Sequence, residues 1–391
     1  MKTAEFIELH RKDDVRTLAL QAKKYPDVQM TYAIEQIAGW QTAQQKLPTW
    51  AQTPGVVYPH HLSMEQCSSE ATAQIKARII SEIGGEFSTF VDLTAGFGVD
   101  FTCMARRFRQ AVYVEQQQYL CEIAQQNLPL LGLPQAMVHQ GNGMEYLQQM
   151  QKVDWIFLDP ARRDAQGGKV VRIEDCEPDV TALEEQLLQK AERVMVKLSP
   201  MLDISQALQT LKHVVAVYVI AQHNECKELL LILGQETMER GKIKITSINN
   251  EQIFTYTLQQ EESALPRYAQ QVGTYLYEPN AALIKSGAYK SVACSYAVDK
   301  LHISSHLYTS EEKVETFPGR VFKVQGVYGF GKKDLKDLKA ASPKANLSIR
   351  NFPSSVAELR KRLKINDGGE NYLFATTLNN SDRILVLCRK A

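Results

Sequence analysis

The sequence predicts an α/β protein built on a seven-stranded, doubly wound sheet, with a helical segment ahead of it and small α+β modules behind it. Three observations carry that prediction. From Phe90 onward, short apolar runs alternate with helical stretches, the pattern of right-handed βαβ units and a parallel sheet. The last two runs, VVAVYVI and KELLLIL, are joined by AQHNEC, too short for a crossover helix, so they are expected to pair antiparallel. After Gly234 the period changes again, first to a hairpin and then to a basic strand–helix tail.

Taken in order, EFIELHRKDDVRTLALQAKKY and MTYAIEQIAGWQTAQQKL space their apolar residues as helices do. Pro48, Pro54, Gly55 and Pro59 interrupt this pattern, and Ser68-Ser69-Glu70 reads as the start of the helix ATAQIKARIISEI. Five strand–helix pairs follow: FVDL with VDFTCMARRF, AVYVE with YLCEIAQQNL, AMVHQ with GMEYLQQM, VDWIFLD with DVTALEEQLLQKA, and RVMVKL with ISQALQTL. KIKITSI and IFTYTL around NNEQ then read as a β-hairpin. The tail reads RVFKVQGVY, KKDLKDLKAA, NLSIRNF, SVAELRKRLK, NYLFATTL and RILVLCR, in the order β-α-β-α-β-β. These shifts divide the chain into residues 1–85, 86–234, 235–317 and 318–391: a helical segment, the wound sheet, a small α+β connecting module of ferredoxin-like type, and a basic module.

Composition narrows the function classes. With 391 residues, 44% hydrophobic and 23% charged, the chain can bury a large core and is not a disordered polymer. No run approaches ~18 apolar residues, and MKTAEFIELHRKDD carries charge where an export signal needs an apolar stretch. None of the seven cysteines is spaced as CxxC, and His60 and His61 form the lone adjacent histidine pair. That pattern suits a reducing, cytoplasmic setting without disulfides or a metal. The net charge of +1 conceals an asymmetry: from Arg320 onward 15 Lys and Arg face six acids. A basic module on an acidic body points to a polyanionic partner.

The most informative segment is Val91-Asp92-Leu93-Thr94-Ala95-Gly96-Phe97-Gly98-Val99-Asp100. A strand ends in an acid, a Gly-x-Gly turn follows, and a helix begins whose first N–H groups can meet a ligand. The second strand ends at Glu115, placed to accept two ribose hydroxyls. The third glycine of a dinucleotide fingerprint is absent, so an adenosyl ligand without phosphates suits the loop better. DLTAGFGVD resembles the first motif of class I S-adenosylmethionine-dependent methyltransferases, and the wound sheet with its terminal hairpin is similar to their Rossmann-like fold. The resemblance implies S-adenosylmethionine as cofactor, held by Asp92, Thr94, Ala95, Gly96, Gly98 and Glu115. Where that family has an acid after the third strand, Asn142 stands, either an adenine contact or a helix cap.

VDWIFLD runs into Asp159-Pro160-Ala161-Arg162-Arg163, which resembles the DPPY-like fourth motif of nucleic-acid methyltransferases. The resemblance implies that Asp159 and Pro160 form the catalytic corner where the acceptor is oriented. The second proline and the aromatic are missing, and Arg162 or Arg163 is left to meet a base or a phosphate. The polar stretch from Asp164 to Pro178 is long enough for a substrate lid. Lys197 ends the fifth strand, as a phosphate ligand or as a surface charge. Ser199 occupies the position where pyrimidine C5 chemistry needs a thiolate, so a nitrogen or oxygen acceptor is expected. Gln66 to Thr72 either closes over the cofactor or only caps a helix.

NLSIRNFPSSVAELRKRLKI and NYLFATT resemble the THUMP-like domain that follows some bacterial methyltransferase domains, and THUMP domains proper bind RNA. Tyr328, Phe330 and Phe352 lie among Lys332, Lys333, Arg350, Arg360, Lys361 and Arg362, a pattern that suits base stacking or an amphipathic core. The expectation is a cytoplasmic RNA methyltransferase acting on tRNA or rRNA. Methylation of a protein or small molecule, and a non-enzymatic RNA-binding factor with a vestigial cofactor site, stand as alternatives.

Overall fold

A computed structural model describes residues 2–162 and 172–391. Its central strands are β1 (Thr89–Asp92), β2 (Gln110–Glu115), β3 (Met137–Gln140), β4 (Val153–Leu158) and β5 (Ala191–Leu198). β1 pairs in parallel with β2 on one side and β4 on the other, and β3 and β5 extend the two sides, also in parallel. The order β5-β4-β1-β2-β3 reverses its winding between β4 and β1. In open α/β sheets such a reversal opens a crevice at the carboxyl ends of the strands. Asp92 ends β1 and Asp159 follows β4, so the two acids flank it.

Local sequence explains the elements around that crevice. Trp155, Ile156, Phe157 and Leu158 of β4 are all at most 1% exposed, as befits a strand covered on both faces. Helix α1 (Glu70–Ile83) starts where the Ser69 hydroxyl accepts the Thr72 N–H at 3.2 Å. Helix α2 (Val99–Ala105) follows the glycine turn, α3 (Gln118–Leu130) follows β2, and α4 (Gly143–Gln149) is capped by Asn142. The N-terminal helices bury Leu47, Trp50, Tyr58 and Met64 in one cluster with Phe97 and Val99 of the glycine turn. The Trp50 and Phe97 rings lie 4.7 Å apart, centroid to centroid.

The sheet has nine strands rather than the predicted seven. β6 (Val214–Gln222) and β7 (Glu225–Gly234) are the expected hairpin, closed by only two residues, His223 and Asn224, with φ of 51° and 63°. Two left-handed residues in succession are what a tight hairpin turn demands. β8 (Lys244–Asn249) lies parallel to β6, and β9 (Gln252–Thr257) antiparallel to β8. The stretch read as a free hairpin therefore covers the open backbone edge of β6. The full order is β9-β8-β6-β7-β5-β4-β1-β2-β3.

The chain forms two compact units, Met1–Val215 with Leu230–Thr237, and Ala216–Leu229 with Met238–Ala391. The second holds a seven-stranded sheet of β10 (Tyr275–Pro279), β11 (Asp299–Lys300), β12 (Tyr308–Ser310), β13 (Gly319–Tyr328), β14 (Asn346–Arg350), β15 (Asn371–Thr377) and β16 (Arg383–Lys390). Its order is β11-β12-β10-β13-β16-β15-β14. β10 and β13 pair antiparallel, so the sheet runs across residue 318. Helices α5 (Lys332–Ala341) and α6 (Val356–Leu363) complete the predicted β-α-β-α-β-β tail and bury Leu338, Leu359 and Leu363 against β15 and β16. Phe330 and Phe352 pack against the same core, 5.3 Å apart and edge to face. Arg362 covers the Phe330 ring at 4.0 Å. Of the two arrangements open to these aromatics, this is the amphipathic core.

Candidate active site

The glycine loop is held from inside. Gly96 and Gly98 have φ of +54° and +87°, a region that side chains with a Cβ enter at a cost. Glu115 accepts the Gly96 N–H at 2.9 Å with one oxygen and the Gln117 N–H at 2.9 Å with the other. The Tyr113 hydroxyl donates to the Gly96 carbonyl. The Ala95 N–H donates to the Val114 carbonyl at 3.0 Å, and the Gly98 N–H to the Ala95 carbonyl at 2.8 Å. The amides of Thr94, Ala95, Gly96 and Gly98 are thus turned inward, not outward as an anion cradle. Side-chain acids and carbonyls are left to define what the loop can bind. Among the described residues, and apart from Gly96 and its two chain neighbours, no atom lies within 4 Å of where a Gly96 Cβ would stand.

Asp92 is 1% exposed. Its Oδ1 accepts the Thr94 N–H at 3.0 Å, while its buried Oδ2 has no partner among the described residues. Burial pushes its carboxyl well above the usual range, the Thr94 N–H opposes this, and the charges of Asp100 and Asp159 push it further. Asp159 is tied to the loop, because its N–H donates to the Thr94 hydroxyl at 2.7 Å.

An ion-pair network unites residues from four elements. The Lys197 ammonium lies 2.5 Å from Asp159 Oδ2 and 3.4 Å from Asp100 Oδ2, and donates to Ser68 Oγ at 3.1 Å. Lys76 on α1 is wholly buried, 3.0 Å from Asp100 Oδ1. The Ser68 hydroxyl donates to Asp100 Oδ2 at 2.7 Å. Burial works against a charge on Asp100, but Lys76 and Lys197 together hold its carboxyl below the usual range. Two ammonium groups thus neutralise Asp100 and Asp159, and Asp92, the third acid, is the one kept toward its neutral form.

The structure brings Asp92, Thr94, Ala95, Gly96, Gly98 and Glu115 together at one end of the sheet, with Asp159 and Lys197 beside them. Lys197, 12% exposed, is not a solvated strand-end charge. Asn142 caps α4, its Oδ1 accepting the Met144 N–H at 2.7 Å, so only its amide NH2 is left to donate elsewhere. Gly143 comes so near the glycine loop that a Cβ would lie 2.1 Å from the Leu93 carbonyl oxygen. Pro160 is buried, and Ala161–Arg162 pairs with Cys176–Glu177 in a two-residue ribbon. Arg163 and most of the expected lid lie outside the described residues. Lys76 and Tyr113 were not singled out from the sequence; Ser68 falls within the Gln66–Thr72 segment and Asp100 within the glycine-turn motif, but neither was given a role of its own. The position of Asp100, directly after the glycine turn, was the available signal.

Five of the cysteines are disfavoured as thiolates. Burial raises the thiols of Cys67, Cys103, Cys121, Cys226 and Cys388, that of Cys226 to about 11. Among the described residues no group of three His, Cys, Asp or Glu side chains could hold a metal ion, and no helix is long and apolar enough to cross a membrane.

Comparison with known proteins gives this arrangement a family. Residues 71–217 match the family described as Conserved hypothetical protein 95, residues 275–318 a ferredoxin-like domain, and residues 319–390 a THUMP domain-like family. A crystal structure from Porphyromonas gingivalis W83, of a protein provisionally named a methyltransferase, is 36% identical; the match spans 99% of this chain and 97% of that one, with a TM-score of 0.88. TrmK of M. capricolum, solved with S-adenosyl-homocysteine, matches at 12% identity over 42% of this chain and 68% of its own, TM-score 0.32. The O-methyltransferase of Bacillus cereus, also with that product, matches at 12% over 57% of this chain and 100% of its own, TM-score 0.34. These two likenesses are too distant to bear on chemistry. No curated protein matches the chain in sequence. The chain belongs to the class I methyltransferases that carry a C-terminal THUMP-like domain.

Proposed function

We propose that the protein transfers a methyl group from S-adenosylmethionine to a nitrogen or oxygen atom of an RNA nucleotide. The observation that carries this reading is the pair of acids, Asp92 and Asp159, flanking the strand-order reversal beside a glycine loop braced by Glu115. The residues fit an adenosyl cofactor bearing an amino group: Asp92 offers a buried oxygen with no partner among the described residues, and the space at Gly96 lets a ligand approach the backbone. Asp92, Thr94, Ala95, Gly96, Gly98 and Glu115 would hold it, with Asn142 at the adenine. The cofactor supplies an electrophilic sulfonium methyl group. The protein's own work is then positioning and the exclusion of water. Asp159 orients the acceptor, and Pro160, which has no N–H, fixes the backbone beside it. Arg162 and Arg163 meet the nucleotide.

The RNA assignment draws on exposed lysines in the THUMP-like module, Lys332, Lys333, Lys336 and Lys339 on α5 and Lys361 on α6. The site of action proposed is the cytoplasm. The four-part division at residues 85, 234 and 317 is kept as the working map of functional segments. Total RNA from a strain lacking the gene is the acceptor for the test, with methyl-labelled S-adenosylmethionine as donor. One labelled nucleoside, absent from the deletion strain and restored by the protein, is the expected result. Label found only in protein or small molecules would overturn the RNA reading and leave the methyltransferase assignment standing.

A further inference from the structure

We propose that Lys197 is a positioning residue for Asp159, and that Asp100, Lys76 and Ser68 exist in this fold to hold Lys197 in place. The inference rests on the reading of Asp159 as the group that meets the methyl acceptor. The four charges alternate in sign from the interior outward: Lys76, Asp100, Lys197, Asp159, with side chains 0%, 10%, 12% and 37% exposed. Each is within 3.4 Å of the next. A flexible lysine side chain normally spends its ammonium in water. This one is placed between two carboxylates and a serine hydroxyl that together use its hydrogen-bonding capacity.

Three consequences follow from electrostatics. An ammonium flanked by two carboxylates stays protonated, so Lys197 is neither a general base nor a free phosphate ligand. Asp159 stays ionised, so it accepts hydrogen bonds from an acceptor amine or hydroxyl and does not donate one. Asp100 could not stay charged at its buried site with Lys197 alone shared between two acids; wholly buried Lys76 supplies the missing counter-charge. Ser68 and Lys76 belong to the segment before the sheet, so the sequence from Ser68 to Lys76 is tied to the acceptor-orienting acid rather than serving only as a helix cap.

The charged groups facing Asp159 among the described residues are Lys197 from β5, Asp92 from β1 and, through Lys197, Asp100 from α2. The test is carbon-13 NMR of protein labelled at aspartate carboxyl carbons, with the Asp159 signal assigned by its loss in Asp159→Asn. It needs neither cofactor nor RNA. In the wild type, Asp159 should titrate below the ordinary aspartate value of about 3.9. Lys197→Met should raise the midpoint by about one pH unit or more, a tenfold change in proton affinity, and Lys197→Arg should restore most of the shift. Where Lys197→Met does not fold, the wild-type midpoint and Lys197→Arg decide: a wild-type midpoint at or above the ordinary value overturns the proposal. So does a midpoint unmoved in a folded Lys197→Met. Failure of RNA methylation with these shifts intact would discard the RNA reading alone.

Discussion

Asp92 sits at the end of β1 with one oxygen bonded to the Thr94 amide and the other without a partner among the described residues, and burial holds its carboxyl toward the neutral form. A ligand that brings a cationic amino group to that oxygen favours the ionised form, so binding should release a proton. The sign follows from linkage: the free protein binds the proton more tightly than the complex does, so affinity should rise with pH through the raised midpoint of Asp92. Calorimetry of S-adenosylhomocysteine in buffers of different ionisation enthalpy should show release of up to about one proton per site. Asp92→Asn should abolish that dependence and weaken binding. A wild-type enthalpy that does not change with buffer would remove Asp92 from the ligand site. Asp92 and Glu115 were legible in the sequence because each ends a strand at a fixed distance from the Gly-x-Gly turn. Lys76 was not. On a helix a lysine is ordinarily solvated, and nothing local shows that Asp100, in another element, draws it into the core.

The five strand–helix units were legible because their periods, two in the strands and 3.6 in the helices, are set by burial on the two faces of one sheet. The partner of a hairpin is not encoded in its own alternation, which is why β8 and β9 were expected to stand apart. Once β8 lies beside β6, the polar Thr246 and Ser247 are buried, and they bond to the Thr255 hydroxyl and the Phe254 carbonyl of β9. The helical N-terminal segment raises a similar point. Its caps and periods were readable, but not that Trp50 would pack 4.7 Å from Phe97 and so support the glycine turn from below. That contact makes a prediction about elements. Trp50→Ala removes a side chain 2% exposed and should cost roughly 3–5 kcal/mol in stability. It should also weaken S-adenosylhomocysteine binding about tenfold, well below the melting temperature, because the Gly96 turn loses its support; a tenfold loss is about 1.4 kcal/mol. A destabilised variant that binds the ligand as tightly as wild type would show the segment to be a scaffold without influence on the loop.

The two compact units exchange segments, Leu230–Thr237 joining the first and Ala216–Leu229 the second, so no single cut in the chain separates them. Deleting the basic tail is no cleaner. β13 pairs with β10, and Phe322, Phe374 and Val386 share a core cluster with Leu276 and Leu307, so removing residues from 318 onward would strip the second unit of its interior. The role of the tail is therefore testable only by changing its surface. Not all of its positive charge is available for a partner. Arg350 pairs with Glu278 at 2.6 Å, Arg320 grips the same carboxylate, and Arg360 pairs with Asp367 at 2.8 Å. Lys332, Lys336 and Lys339 on α5 and Lys361 on α6 are exposed, and among the described residues none is in an ion pair. Because these side chains reach into solvent, replacing all four with alanine should leave the melting temperature near that of wild type. If they meet phosphates, each contact releases counterions, and the slope of log affinity against log salt falls by about 0.7 per lost contact with single-stranded RNA. The quadruple variant should therefore flatten the salt dependence by up to about 3 and weaken RNA binding most at low salt. S-adenosylhomocysteine affinity should not change, since none of the four is in the cofactor site. A salt slope equal to wild type in a stable quadruple variant would move the RNA-binding surface away from α5 and α6. The acceptor would then have to be held by other groups, such as Arg162 and Arg163, which follow Asp159 in the sequence, or not be RNA.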